Sequence, residues 1–146
     1  MFFSNVIRFK RHVVSIASGC SGVIGAEGTV LICGLSMHHI YAESKIEAIE
    51  SAARSSSLTG LYLLGKPGRV VVEGRPEDVR TYVSMICRMR WQKCAVMCSY
   101  EMLGPRRFNN FVEVVNEAEL DARLQAAGLG MVSSDLKRGF KAAKMK

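Results

Sequence analysis

The strongest constraint on how this chain folds is a turn. Gly65-Lys66-Pro67-Gly68 separates two apolar runs, Gly60–Leu64 and Arg69–Gly74. Proline presets φ at the second turn position and the following glycine accepts the positive φ of a type II turn. The two runs are therefore expected to fold back as neighbouring antiparallel strands. The same residues argue against a phosphate cradle. A Walker loop leads from a strand into a helix and places Ser or Thr after its lysine, whereas Lys66 is followed by Pro67 and a second strand.

The flanking segments complete a pattern. Thr29–Ser36 is a short apolar run rich in β-branched residues, as a buried strand requires. Ser44 and Glu47 have the spacing of a capping box, which predicts a helix from about Lys45 to Ser56 with Ile46, Ile49 and Ala53 inward, ended by Ser55-Ser56-Ser57. After Gly74, Pro76 suits the first turn of a second helix, and Glu77 and Asp78 complement its positive end. Val79, Tyr82, Val83 and Ile86 form its buried stripe, with Arg80, Ser84 and Arg88 opposite. Trp91–Tyr100 reads as a fourth strand. Strand, helix, hairpin, helix, strand is the split βαβ order, an α+β ferredoxin-like fold: a four-stranded antiparallel sheet over residues 29–103 with two helices on one face. Residues 104–146 form a C-terminal helical extension. It holds a possible extended piece at Phe108–Val114, a helix with Leu120, Leu124 and Ala127 ending at Gly128, and a basic helix from Ser133 to Lys144. Ser133 or Ser134 would cap that last helix, with Leu136 and Phe140 inward.

Charge narrows the partners. A formal net charge of +7 favours an anionic partner, with nucleic acid first. Part of it lies in the tail, where Lys137, Arg138, Lys141, Lys144 and Lys146 are unrelieved by acid. No apolar run approaches the roughly 20 residues needed to cross a bilayer, so no membrane partner is expected. Cys20, Cys33, Cys87, Cys94 and Cys98 show no Cys-x-x-Cys spacing, which predicts neither a disulfide framework nor a metal site and suits a reducing compartment. Residues 1–28 form a basic leader, free of acid until Glu27. Its Phe2-Phe3, Val6-Ile7-Arg8-Phe9-Lys10-Arg11 pattern fits either an organelle-targeting helix or a loosely packed leader.

His38-His39-Ile40-Tyr41, Leu58-Thr59-Gly60, Gly65-Lys66-Pro67-Gly68, Val72-Glu73-Gly74 and Trp91 followed by Lys93 occur in that order. Together they resemble the C-terminal module shared by a splicing factor of the U4/U6 small nuclear ribonucleoprotein and by certain proteins that carry an RWD domain in front of it. The resemblance covers roughly residues 30–103, with a weaker echo through the tail. It implies a ferredoxin-like fold, a place in a ribonucleoprotein, a nuclear location and, from the splicing-factor branch, binding of structured RNA without catalysis. The residues stand closer to the RWD-linked branch, and no RWD domain fits in residues 1–28. The Leu58–Leu64 and Val70–Gly74 pattern is also similar to the sheet of flavin-binding blue-light sensors. That family needs a glutamine where this chain has Val70, Val71 and Val72, so photoreception is not expected and no cofactor is assigned. An acylphosphatase reading lacks its arginine-containing phosphate loop near the N-terminus.

The expected RNA contacts are Lys66, Arg69, Arg88, Arg90, Lys93, Arg106 and Arg107, each as a phosphate ligand that supplies affinity without sequence readout. His38 or His39 would add a polar contact. Adjacent strand positions point to opposite faces, so the two histidines are not expected to share a reacting group, and catalysis is not expected. A sheet that stacks bases is disfavoured because Arg69–Gly74 has no aromatic. Trp91 and Tyr41 are assigned to packing. The competing reading is a protein-docking subunit of a larger complex that does not touch RNA.

Overall fold

The computed structural model describes residues 13–14 and 28–144, with side chains over 28–138. The leader's targeting pattern, Cys20 and the Phe140 side chain lie outside the described residues. In chain order the elements are β1 (Val13–Val14), β2 (Thr29–Met37), α1 (Glu43–Ser55), β3 (Thr59–Leu63), β4 (Gly68–Gly74), α2 (Pro76–Arg88), β5 (Cys94–Leu103), β6 (Phe111–Val114), α3 (Glu117–Ala126) and α4 (Gly130–Lys144). The fold is α+β and ferredoxin-like.

The sheet is larger than four strands and is mixed. Its order is β1-β5-β2-β4-β3-β6. The central strands β5, β2, β4 and β3 are mutually antiparallel as expected, and the edges differ. β6 pairs parallel to β3, with Gly60 opposite Phe111 and Leu63 opposite Val114, and the two-residue β1 pairs parallel to β5. A short run such as Phe111–Val114 carries too little periodicity to reveal its partner, which is why it read only as a possible extended piece.

Both faces of the sheet are covered, and strand parity shows how. Val70 and Val72 of β4, with Leu31, Cys33 and Leu35 of β2, pack against Ile49 and Ala53 of α1 and Val79, Tyr82, Val83 and Ile86 of α2. Val71, Ile32, Leu61 and Leu63 project the other way, against Leu120 and Leu124 of α3 and Leu129, Val132 and Leu136 of α4. The tail is thus a second layer over the sheet. Gly34 makes room for it, since a Cβ there would fall 3.2 Å from Leu136 Cδ2.

Several local expectations change. α1 begins at Glu43, with Ala42 rather than Ser44 at its N-cap and no side-chain cap. α4 begins at Gly130, so Ser133 sits inside the helix and its hydroxyl donates to Asp121 of α3. The capping arrangement appears instead at α3: Asn116 Oδ1 accepts the Glu119 N–H at 2.8 Å, while the Glu119 carboxylate accepts the Val115 N–H at 2.7 Å. β5 begins at Cys94, leaving Trp91 in the approach to the strand. The hairpin is not a type II turn. Lys66–Pro67 is cis and the positive φ falls on Gly65, at 95°, not on Gly68. Gly68 is needed for close approach, because a Cβ there would lie 2.4 Å from Ile40 Cγ1.

α1 and α3 end in the same way. At α3, Leu129 N–H donates to Leu124 O at 2.8 Å and Gly128 N–H to Gln125 O at 3.0 Å, with Gly128 at φ 75°. At α1, Leu58 and Ser57 make the equivalent bonds to Ala53 and Arg54, but the left-handed position at φ 52° is held by Ser57. A side chain there is unfavourable. Ser57→Gly should therefore stabilise the fold by about 0.5–1 kcal/mol, after allowing for glycine's freer unfolded chain. Thermal denaturation should show the melting temperature rising by a few degrees, whereas a fall would contradict this account of the α1 terminus.

Candidate nucleic-acid interface

Where β2 ends, three loops meet. His38 N–H donates to Lys93 O at 3.0 Å, joining the exit of β2 to the entry of β5. Ile40 and Gly65 exchange two main-chain bonds, at 2.8 and 3.0 Å, joining the same segment to the hairpin. Lys66, exposed at the hairpin tip, and Lys93 are thereby held beside His38. Partial desolvation, followed by the positive fields of Lys66, His39 and Lys93, holds His38 below the usual imidazole range.

The two histidines share one site after all. β2 stops at Met37, so residues 38 and 39 escape strand alternation. Their Nδ1 atoms are 3.0 Å apart, with the rings edge to face. His39 stacks in turn on Tyr41, at 4.9 Å between centroids and 20° between planes. Tyr41 is 60% exposed, so it is a surface ring rather than the packing residue expected. Trp91 does pack: its Nε1 donates to Ile86 O at 2.7 Å, and Lys45 Nζ lies 4.5 Å over its ring. Lys45 also donates to Arg90 O, which draws a further cation into this end of the domain. Arg88 ends α2, where a cation complements the helix dipole, and Arg90 follows in the connection to β5. None of the ion pairs among the described residues involves the side chains of Lys66, Arg88 or Arg90.

The remaining expected contacts lie elsewhere. Arg69 is only 7% exposed. By parity it lies on the face covered by α3, where its Nη2 pairs with Glu117 Oε1 at 3.5 Å and its Nε and Nη1 lack acceptors. Burial holds it below the ordinary guanidinium range. It therefore leaves the surface set, and the reason was hidden in a partner 48 residues away. Arg106 and Arg107 follow β5 at the opposite end of the sheet. Across a nine-residue β2, that end is roughly 25–30 Å from the hairpin. There Arg106 donates to Ser57 O and, with Arg75, lines a cavity of about 670 Å³ that Gly28, Thr29, Val30, Pro76, Gly104 and Pro105 complete. Arg107 N–H and Phe108 N–H donate to the Glu73 carboxylate at 3.0 and 2.6 Å, and Thr59 Oγ1 donates to it at 3.0 Å. Glu73 is fully buried, and its oxygens anchor the loop after β5 to the sheet. The expected contacts thus divide. His38, His39, Lys66, Arg88, Arg90 and Lys93 gather at one rim, Arg106 and Arg107 sit at the other, and Arg69 is buried. Sequence reasoning missed Tyr41 and Lys45, although the alternation His39-Ile40-Tyr41 around the buried Ile40 was a readable sign that the rings on either side share a face.

Among the described residues, no group of three or more His, Cys, Asp or Glu side chains is placed to hold a metal ion. No helix among them is long and apolar enough to cross a membrane.

Known structures share the fold. The BLUF protein BlrB, in its dark state, aligns over 80% of this chain and 98% of its own, at 21% identity and TM-score 0.53. BlsA in its photo-activated state aligns over 81% and 96%, at 13% identity and TM-score 0.51. Full-length HypF matches 58% of this chain but only 12% of its own length, at 12% identity and TM-score 0.40. At these identities the likeness is one of fold alone. Residues 34–134 match the family described as "Small nuclear ribonucleoprotein Prp3, C-terminal domain". That span takes in well over half of the 146 residues and includes every motif that carries the resemblance, from His38 to Lys93. The chain belongs to the Prp3 C-terminal domain family.

Proposed function

We propose that this chain is a non-enzymatic part of a splicing ribonucleoprotein in the nucleus and that it holds structured RNA by its phosphates. The grip lies at the rim formed by Lys66, Arg88, Arg90 and Lys93, with the His38–His39 pair between them and the exposed Tyr41 ring as a stacking surface. Family membership supports the ribonucleoprotein role. For the RNA contact, the supporting observation is the three-loop junction, in which the His38 N–H bond to Lys93 O and the paired Ile40–Gly65 bonds hold Lys66 and Lys93 beside His38. Such a site gains most from an incoming anion. Arg106 and Arg107, at the far end, are not part of this grip.

A titration of an RNA stem-loop at about 50 and 200 mM salt tests the reading. Affinity should fall with salt with a slope of several contacts, because each neutralised phosphate releases counterions. The double reversal Lys66→Glu with Arg90→Glu should weaken binding on the order of tenfold or more at low salt, while Arg106→Glu should change it little. Capture of a protein partner without measurable RNA binding would instead establish a docking subunit.

His38 adds a pH signature. A bound phosphate favours the charged imidazole, so the complex holds more protons than the free components. Affinity should rise as pH falls from about 7 to 6, and His38→Gln should flatten that dependence.

A further inference from the structure

Cys87 at the end of α2 and Cys94 at the start of β5 place their sulfurs 3.8 Å apart. We infer that this pair is an oxidation site, at which a hydroperoxide converts two thiols into an intramolecular disulfide joining α2 to β5. A disulfide needs about 2.05 Å between sulfurs, so each has to move by less than about 1 Å. The connection between them is already held in place. Trp91 is anchored on Ile86 O, Met89 N–H donates to the same carbonyl at 3.1 Å, and Lys45 clamps Arg90 O. Both cysteines are half-buried, within reach of a small oxidant. Cys33 and Cys98 are buried, and burial pushes each thiol up to about 12, which keeps them protonated and inert. Cys87 differs: the hydrogen bond from Cys94 stabilises its thiolate and holds its pKa below the usual thiol value.

The steps balance with hydrogen peroxide as oxidant. The Cys87 thiolate attacks one peroxide oxygen, the O–O bond breaks, and the other oxygen leaves as water after taking a proton. Cys87 is now a sulfenic acid. The Cys94 sulfur attacks it, the S–S bond forms, the S–O bond breaks, and the hydroxide leaves as water with the Cys94 proton. Two thiols lose two electrons, one peroxide gains them, and two waters result. The eight-residue segment closed in this way carries Arg88, Arg90, Trp91 and Lys93. Oxidation would therefore fix the backbone that presents the cationic rim. The site itself does not rest on the RNA reading.

The test uses the full chain, reduced and freed of reductant, then treated with hydrogen peroxide, blocked with iodoacetamide and digested with trypsin. Mass spectrometry should find peptides 81–88 and 94–106 joined, two hydrogens lighter than their sum with Cys98 carbamidomethylated, with fragment ions placing the link at Cys87 and Cys94, and separated again by dithiothreitol. Replacing Cys94→Ser should arrest Cys87 as a sulfenic acid that dimedone labels, whereas the unaltered chain should take little label there. Recovery of Cys87 and Cys94 as unlinked thiols or sulfonic acids after peroxide treatment would overturn the proposal. Linkage of Cys87 to Cys20 or to a second chain would do the same. No RNA enters the experiment, so its failure and that of the RNA reading are separate events.

Discussion

Replacing Gly60→Ala should cost a large share of the domain's stability. Gly60 has φ 147°, a conformation that side chains rarely adopt, and a Cβ built there falls 1.9 Å from the Val71 carbonyl oxygen and 3.1 Å from Val72 Cα. The obstacle is backbone of the adjacent strand, paired with β3 on one side and β2 on the other, so it cannot rotate away. Gly60 also donates its N–H to Asn110 O at 3.0 Å, which sets the entry to β6. Strain and overpacking each cost about 1–3 kcal/mol, and here they act together. Against a total of about 5–15 kcal/mol, a loss of about 4 kcal/mol or more should leave the variant largely insoluble or with a much lower urea midpoint. A Gly60→Ala protein within 1 kcal/mol of the parent would show that β3 and β4 do not approach as closely as described.

The second large effect belongs to Glu73. Its buried carboxylate accepts the Thr59 hydroxyl and the Arg107 and Phe108 N–H groups. Glu73→Ala removes the acceptor of all three donors at a buried position and should cost about 3–5 kcal/mol in urea unfolding. Glu73→Gln keeps the shape and one acceptor oxygen but turns an amide donor toward a donor, so its cost should be intermediate, about 1–3 kcal/mol. In the glutamine variant, hydrogen exchange at Arg107 and Phe108 should accelerate while that of β2 stays slow. Equal stability of all three proteins would remove Glu73 as the anchor of this loop.

Both residues come from the motifs that carry the family resemblance, and so do most of their partners. Thr59 bonds to Glu73, Gly74 makes room for Leu58, whose Cδ2 would lie 2.5 Å from an added Cβ, and Gly68 makes room for Ile40. These motifs mark where backbone must approach backbone, which is why they led to the fold more directly than to a function. The central strands and first two helices were legible because Val79, Tyr82, Val83 and Ile86, or Val70 and Val72, obey simple periods. Burial of both sheet faces was legible in principle too. Thr29–Met37 and Gly68–Gly74 are apolar almost without alternation, as strands covered on both sides are.

What escaped depends on contacts distant in sequence or on choices between equivalent local signals. Arg69 sits beside the hairpin in sequence, and only α3, with Glu117, turns it into an interior residue. Ser44 and Ser133 each offered a reasonable cap, but the main chain entered its helices at Glu43 and Gly130, and Asn116 took the capping role at α3. At the rim, strand alternation does not extend to His38 and His39, because β2 ends at Met37. The gathering of Lys66, Lys93 and the histidines depends on the three-loop junction, which no single segment displays.

With α1 and α2 on one side of the sheet and α3 and α4 on the other, the broad flat surface this topology could have offered a ligand is spent on the protein's own helices. What remains for a partner is the narrow perimeter where strands turn. A nucleic acid lying across such a perimeter meets a handful of phosphates and almost no base edges, so an isolated copy of this domain should discriminate poorly among sequences. Its selectivity would then come from neighbours that hold it at the correct place on a larger particle, where even a modest contact gains from enforced proximity.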